Sequence, residues 1–254
     1  MSDSLASARG TSVELILPAH NESESIERVI REFHQVVMVD GGIDLHFLVT
    51  EDGSRDDTAK IVSELATELP ITLLSTPYRK GYSRAVVDGL RASSAPLIAA
   101  CDSDGQYDPA NLLDLVAGIG THDVAVGYRN PRQDPWIRKA MSVSFALAFR
   151  ALHTSRVKDP SCPFVLYTRD ALSQLVLDNP RVPFMPEGLW WEMSARAGGL
   201  GLDVIELPIK HRRRDDGTSV VYRPQRIARI VADNLFGLWL TKGDIAYQVA
   251  QRQK

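Results

Sequence analysis

Asp102 and Asp104 stand one residue apart at the end of an apolar run, Pro96 to Cys101, and Gln106 follows two residues later. Where a strand passes into a turn, side chains at i and i+2 point the same way, so both carboxylates address one side. A set made only of oxygens suits Mg²⁺ or Mn²⁺, which share a near-octahedral shell with waters and substrate phosphates. No Cys/His cluster at zinc spacing accompanies it. The plain alternative is a solvated turn, because Asp, Ser and Gly all favour turns. A second acidic group, Glu51-Asp52-Gly53-Ser54-Arg55-Asp56, closes the apolar run Leu45 to Thr50. Ser54 or Asp56 is placed to cap the next helix, and a carboxylate here can also accept hydrogen bonds from a nucleobase or ribose.

The elements that must position these groups alternate. Strands are expected over 13–18, 45–50, 71–75, 96–101 and 123–127, and helices over 23–39, 56–69, 81–91 and from Pro109 onward. Such alternation predicts an α/β fold with a mostly parallel central sheet and helices on both faces. Ligands of such sheets bind at the carboxyl ends of the strands. The polar turns after Leu17, Thr50 and Cys101 fall there, so three strand ends are expected to meet at one cleft. Beyond Gly127 the pattern changes to a long helix over 135–153, a strand over 162–167, a helix over 189–197, a strand over 202–209 and a last helix over 224–240.

Composition narrows the function classes. The chain has 254 residues, a formal net charge of −3 and 44% hydrophobic residues, the profile of a globular protein with one large core and no bias toward nucleic acid. Two cysteines, Cys101 and Cys162, are too few for a disulfide framework and fit a reducing, cytoplasmic setting. Residues 1–12 read as a disordered tail rather than a signal peptide. No window holds about 18 consecutive apolar residues, so no transmembrane helix is expected. Neither Gly-x-Gly-x-x-Gly after the first strand nor Gly-x-x-x-x-Gly-Lys-Ser/Thr is present, which argues against a dinucleotide oxidoreductase and a P-loop NTPase.

Four motifs occur in order: Leu17-Pro18-Ala19-His20-Asn21-Glu22, Glu51-Asp52-Gly53-Ser54-x-Asp56-x-Thr58, Arg79-Lys80-Gly81-Tyr82-Ser83-Arg84-Ala85 and Asp102-Ser103-Asp104-Gly105-Gln106. Together they resemble the family 2 inverting glycosyltransferases with the GT-A fold, and within them the dolichol- or polyprenol-phosphate mannosyltransferases and their bacterial relatives. The resemblance implies a glycosyltransferase domain over 13–222 with a helical extension over 223–254. It places Pro18, His20, Glu22, Glu51, Asp52, Lys80, Asp102 and Ser103 at the nucleotide-sugar donor, and Asp102, Asp104 and Gln106 at Mg²⁺ or Mn²⁺. It places Arg129, Arg138, Ser142 and Arg214 at an acceptor phosphate, and Arg129 and Arg138 beside Asp104 in catalysis. Arg138 and Ser142 also share one helical face by their i, i+4 spacing. The element Arg214-Asp215-Asp216-Gly217-Thr218-Ser219, the run Asp159-Pro160-Ser161-Cys162-Pro163-Phe164 and Glu192 fall at family-like positions. Glu51 stands where relatives carry Asp, and Val220 where they carry Lys.

The implied reaction moves a hexose, GDP-mannose being the favoured donor, to a polyprenyl phosphate with inversion. Alternatives are transfer from a donor such as UDP-glucose to a soluble hydroxyl acceptor, with Glu192 as base, and a silent nucleotide-sugar-binding subunit. For Glu192 the plain alternative is an i, i+4 salt bridge with Arg196. Other expected partners are the membrane surface or a membrane protein, and a second copy of the chain, but no nucleic acid. The last helix, with Leu235, Phe236, Leu238 and Trp239 beside Arg223, Arg226 and Arg229, suits either peripheral contact with the cytoplasmic membrane face or docking on the core.

Overall fold

The computed structural model describes residues 9–130, 136–177, 185–186, 188–212 and 224–252, with side chains at 136–142 and 224–231 left aside. Seven strands form one sheet in the order β3-β2-β1-β4-β6-β5-β7. They are β1 (Ser12–Ala19), β2 (Asp44–Asp52), β3 (Ile71–Thr76), β4 (Leu97–Ala100), β5 (Val124–Arg129), β6 (Val165–Thr168) and β7 (Val204–Ile209). The pairings β3-β2, β2-β1, β1-β4 and β5-β7 are parallel. Only β6 runs the other way, antiparallel to β4 and β5 alike.

Alternation along each strand divides the core. Val13, Leu15 and Leu17 of β1 and Leu45, Phe47 and Val49 of β2 face helices α1 (Ile26–Phe33), α2 (Thr58–Leu65) and α4 (Ala110–Ile119). Ile16 and Leu48 point to the other face, packed with Val86 and Leu90 of α3 (Tyr82–Ala92), Leu172 of α6 (Arg169–Leu172) and Trp190 and Met193 of α7 (Leu189–Gly199). A third cluster lies outside the sheet. It joins Phe149 of α5 (Trp136–Leu152), Trp191 and Ala195 of α7 and Leu238 and Ile245 of α8 (Pro224–Arg252).

The element order expected from periodicity is present, with four differences. The first helix begins at Ile26, because residues 21–25 are drawn into loop contacts, and it continues past Phe33 as a π-type turn over His34–Asp40. The strand expected over 162–167 starts at Val165 and is antiparallel. Arg169–Leu177 is helical, where no helix was expected. The last helix continues to Arg252, twelve residues past the expected end at 240.

Candidate active site

The carboxyl ends of β1, β2 and β4 are neighbours, since β1 pairs with both others in parallel register. Their turns are tied together by side chains. Asn21 sits at φ 56°, a left-handed conformation that Asn tolerates. Its N–H donates to Ser54 Oγ (3.0 Å), and its Oδ1 accepts from Arg55 N (2.8 Å). Glu22 N–H reaches Thr58 Oγ1 (2.9 Å), and the Ser25 hydroxyl lies within donating distance of both Glu22 Oε2 (2.8 Å) and Ser103 O (3.2 Å). His20 Nδ1 lies 2.8 Å from Asp52 O. Pro18, His20 and Glu22 therefore line the junction of all three strand ends.

Glu51 and Asp52 are almost wholly buried. Glu51 accepts from Ser54 N and from Ser75 Oγ (2.6 Å). Burial alone would raise its carboxyl, but these donors outweigh it and hold it below the ordinary range. Asp52 accepts from Lys80 N (2.6 Å) and Gly81 N (2.8 Å), one through each oxygen. Both residues thus build the loop before α3. Gly53 lets that loop come close: at φ 63°, a Cβ there would lie 2.5 Å from the Tyr78 carbonyl carbon. Lys80 is on the loop, but its ammonium pairs with Asp88 of α3.

Asp102 and Asp104 emerge from β4 as a half-buried pair. Asp102 accepts a hydrogen bond from the Tyr82 hydroxyl. Burial first, and then the like charge of Asp104, push its carboxyl up to about 7, against the donation from Tyr82 and the guanidinium of Arg129. Asp104 Oδ1 accepts from Gln106 N (3.0 Å). Gln106 is fastened to the strand β7 exit, through Nε2 to Arg212 O (3.3 Å) and Arg212 N to Gln106 O (2.7 Å). Ser103 turns inward instead: it is buried, and its hydroxyl donates to Pro18 O (2.6 Å). Its hydroxyl joins β4 to β1.

Among the described residues, no three His, Cys, Asp or Glu side chains converge as a complete metal cage. Two carboxylates with an amide nearby nonetheless fit a hard cation whose remaining ligands are waters and phosphate oxygens.

Arg129, at the end of β5, forms a fork with the buried Asp159: Nε to Oδ2 at 2.7 Å and Nη2 to Oδ1 at 2.9 Å. Burial would lower its pKa, and the Asp159 contact more than offsets that, so the guanidinium stays charged. Its charge is felt at Asp102. Arg138 and Ser142 lie on α5, but their side chains, like the whole of Arg214, fall outside the described residues.

Glu192 is not placed as a base. It is fully buried, bonded to Arg196 Nε (3.0 Å) and Nη2 (2.7 Å) and to Met185 N (2.7 Å). The i, i+4 ion pair is the arrangement present, and Asp244 of α8 adds a third charge 3.3 Å from Arg196.

The sequence assigned no partner to Tyr82, Trp190 or Asp159, and did not single out Arg28. Tyr82 and Asp159 lay inside quoted motifs, but their partners are far along the chain. Arg28 had no such signal: its guanidinium lies over Gly105, at φ 76°, where a Cβ would sit 2.7 Å from Nη2.

Comparison with known proteins agrees with this architecture. The family model for glycosyl transferase family 2 matches residues 14–176. An uncharacterized glycosyltransferase of Mycobacterium tuberculosis is 29% identical over 216 residues, covering 84% of this chain and 90% of the relative. An undecaprenyl-phosphate 4-deoxy-4-formamido-L-arabinose transferase of an Enterobacter species is 26% identical, covering 87% of this chain and 65% of that enzyme. Among solved structures, glucosyl-3-phosphoglycerate synthase from Mycobacterium tuberculosis, in complex with Mn²⁺, UDP and glucosyl-3-phosphoglycerate, superposes with a TM-score of 0.68 at 22% identity. That match covers 95% of this chain and 83% of the synthase, and it establishes a shared GT-A fold. With the family model matching well over half its length, the chain belongs to glycosyl transferase family 2.

Proposed function

We propose that this chain is an inverting glycosyltransferase that moves a hexose from a nucleoside-diphosphate sugar to a polyprenyl phosphate, with GDP-mannose as the favoured donor. The observation that carries the donor half is the meeting of three parallel strand ends around Asp102 and Asp104. Pro18, His20, Glu22 and the Glu51–Asp52 turn form the nucleotide side. Asp102, Asp104 and Gln106 are the residues for Mg²⁺ or Mn²⁺, which would stabilise charge on the departing diphosphate. The synthase that shares the fold was solved with Mn²⁺ and UDP, which supports this assignment.

The acceptor half rests on the family-like arginines and on the engagement of Glu192 within the protein. A hydroxyl acceptor needs a group to take its proton, and the candidate Glu192 is buried against Arg196. A phosphate monoester has a second pKa of about 6 and is already dianionic at neutral pH. It needs cations to hold it beside an anionic donor, the role proposed for Arg129, with Arg138, Ser142 and Arg214. The undecaprenyl-phosphate transferase relatives support the same acceptor class.

Access to such an acceptor is at the membrane surface. No helix of the described residues is long and apolar enough to cross a membrane. α8 buries Leu238 but exposes Leu235, Phe236, Trp239, Leu240 and Tyr247, with Phe236 at 59% and Trp239 at 64%. α5, packed on α8, exposes Val143 and Leu147. An aromatic-rich outer face, on a helix whose sequence also carries Arg226 and Arg229, suits shallow insertion into an anionic surface.

A second reading is transfer of glucose from UDP-glucose to a soluble phosphorylated acid, favoured by the ligands bound in the structural neighbour. A transfer assay separates the two. GDP-mannose and UDP-glucose are each supplied with Mn²⁺ and either a short-chain polyprenyl phosphate or 3-phosphoglycerate. Sugar appearing on the polyprenyl phosphate supports the first reading. Product on 3-phosphoglycerate alone supports the second, and no transfer from any sugar nucleotide contradicts both.

A further inference from the structure

Tyr82 opens α3 directly after the loop that Asp52 clamps through Lys80 N and Gly81 N. Its hydroxyl meets two partners, Asp102 Oδ1 and Trp190 Nε1, the latter at 2.9 Å. An indole N–H only donates. Trp190 therefore occupies an acceptor lone pair of the phenol, and the single phenolic hydrogen is directed at Asp102. With Asp102 ionised, as it is when it receives a cation, this chain of hydrogen bonds runs from Trp190 to Tyr82 to Asp102.

The geometry around the chain is built to hold it. The Tyr82 and Trp190 rings meet edge to face, with centroids 6.4 Å apart and planes at 71°. The next residue, Ser83, shares its one hydroxyl hydrogen between Met185 O (2.9 Å) and Pro186 O (2.8 Å), so the first turn of α3 is docked on the segment that enters α7. Trp191 faces the opposite way, into the cluster with Phe149 of α5 and Leu238 of α8, and its Nε1 donates to Asn234 Oδ1 (2.6 Å). Two consecutive tryptophans thus anchor α7 on both sides, one to the β4 carboxylate and one to the α5–α8 layer.

We propose that Tyr82 and Trp190 are positioning residues for Asp102: the phenol fixes the rotation of the carboxylate that receives the divalent ion, and the indole fixes the phenol. This rests on the reading of Asp102 as part of the metal and donor site. A hydrogen bond to a charged group that also sets its orientation is among the stronger single contacts in a protein. Phenylalanine at 82 keeps the ring on Trp190 and removes the donor. Phenylalanine at 190 keeps an aromatic ring beside Tyr82 and removes the N–H.

The test is a titration of the full chain with MnCl₂ in the presence of UDP or GDP, following free Mn²⁺ by its electron paramagnetic resonance signal. Melting temperature is recorded for every variant. Tyr82→Phe is expected to raise the half-saturating Mn²⁺ concentration about tenfold or more, the effect of losing one charge-assisted hydrogen bond. Trp190→Phe is expected to raise it by roughly threefold to fivefold, the scale of a neutral hydrogen bond. The double variant should match Tyr82→Phe alone, because the indole acts through the phenol. A purely structural role would instead lower the melting temperature in both single variants and leave their Mn²⁺ curves unmoved, which overturns the proposal. So would additive losses in the double variant. Asp102→Asn separates the proposal from its basis. If that variant loses Mn²⁺ while Tyr82→Phe does not, positioning by Tyr82 is wrong and the metal reading stands. If Asp102→Asn binds Mn²⁺ as the natural chain does, both are wrong.

Discussion

The two sides of this molecule are held by different physics. At the carboxyl ends of β1, β2 and β4, short polar side chains stitch the turns to one another: Asn21 to Ser54 and Arg55, Asp52 to Lys80 and Gly81, Ser103 to Pro18. In the α5–α7–α8 layer the contacts are large and apolar around Phe149, Trp191 and Leu238, beside a buried ion pair, Glu192–Arg196, that the half-exposed Asp244 joins from α8. The first arrangement holds oxygen atoms in place at little cost, because the turns supply donors and acceptors to one another. The second confers stability and presents an outer face to whatever lies beyond. Substitutions on the polar side are therefore expected to change chemistry while sparing the fold, and those in the helical layer to do the reverse.

The largest effect expected on the polar side is that of Asp104→Asn. Loss of a charged ligand removes the ion that offsets several kcal/mol of developing charge, so turnover should fall by about a thousandfold or more. Its melting temperature should stay near that of the natural chain. A large fall in melting temperature with residual turnover would erase the contrast between the two regions.

Within the helical layer, Arg196→Met strands the Glu192 carboxylate in an apolar surrounding. Breaking a buried pair from one side costs about 3–5 kcal/mol. Chemical denaturation should show that loss, and Glu192→Leu combined with Arg196→Met should recover most of it. If the single variant were as stable as the natural chain, the buried pair would not be the polar keystone of this layer.

His153, buried at the end of α5, gives the layer an acid sensitivity. Burial lowers its pKa to about 4, aided by Lys242 and Arg196 and opposed by its hydrogen bond to the Leu238 backbone. The unfolded chain titrates near 6.5, so the folded state binds fewer protons between those values. Stability from this residue is complete above about pH 6.5 and falls as pH drops toward 4. Subtracting the stability of His153→Gln across that range should isolate this slope. A difference that does not vary with pH would contradict it.

A smaller effect is expected of Arg138→Ala, which should weaken the acceptor's apparent affinity roughly tenfold to a hundredfold and the donor's little. Equal weakening of both would move Arg138 from the acceptor to the donor. The mildest belongs to the outer face of α8. Trp239→Asp should reduce co-sedimentation with anionic vesicles at low salt and leave transfer to a short, water-soluble acceptor unchanged. Vesicle binding equal to that of the natural chain would remove this face from the membrane account.

The same contrast explains what could be read from the chain. The polar side was legible because its signals are local. Apolar runs ended by Pro18, by Glu51-Asp52-Gly53 and by Asp102-Ser103-Asp104 announce strand ends, and alternation with helices announces parallel pairing. Which oxygen meets which donor was not legible, because Ser103 finds Pro18 and Tyr82 finds Asp102 across long stretches of sequence. In the helical layer the Glu192–Arg196 pair follows from i, i+4 spacing, whereas Asp244 joins it from another helix. The reversed strand β6 is four residues of Val165–Thr168, as apolar as the strands β4 and β5 beside it, and nothing in its composition encodes direction. The outward face of α8 was partly legible: Phe236 and Trp239 are exposed as an amphipathic helix requires, but Leu238, read with them, is buried in the third cluster.

The central claim, that Asp102 and Asp104 hold a divalent ion for a nucleoside diphosphate, is open to direct observation. Crystals grown with MnCl₂ and UDP or GDP would be measured at the manganese absorption edge. The account predicts an anomalous peak within bonding distance of a carboxylate oxygen of Asp102 or Asp104, or of both, and of a diphosphate oxygen. A nucleotide bound at the ends of β1, β2 and β4 with no manganese at either carboxylate, or manganese seated elsewhere, would contradict it.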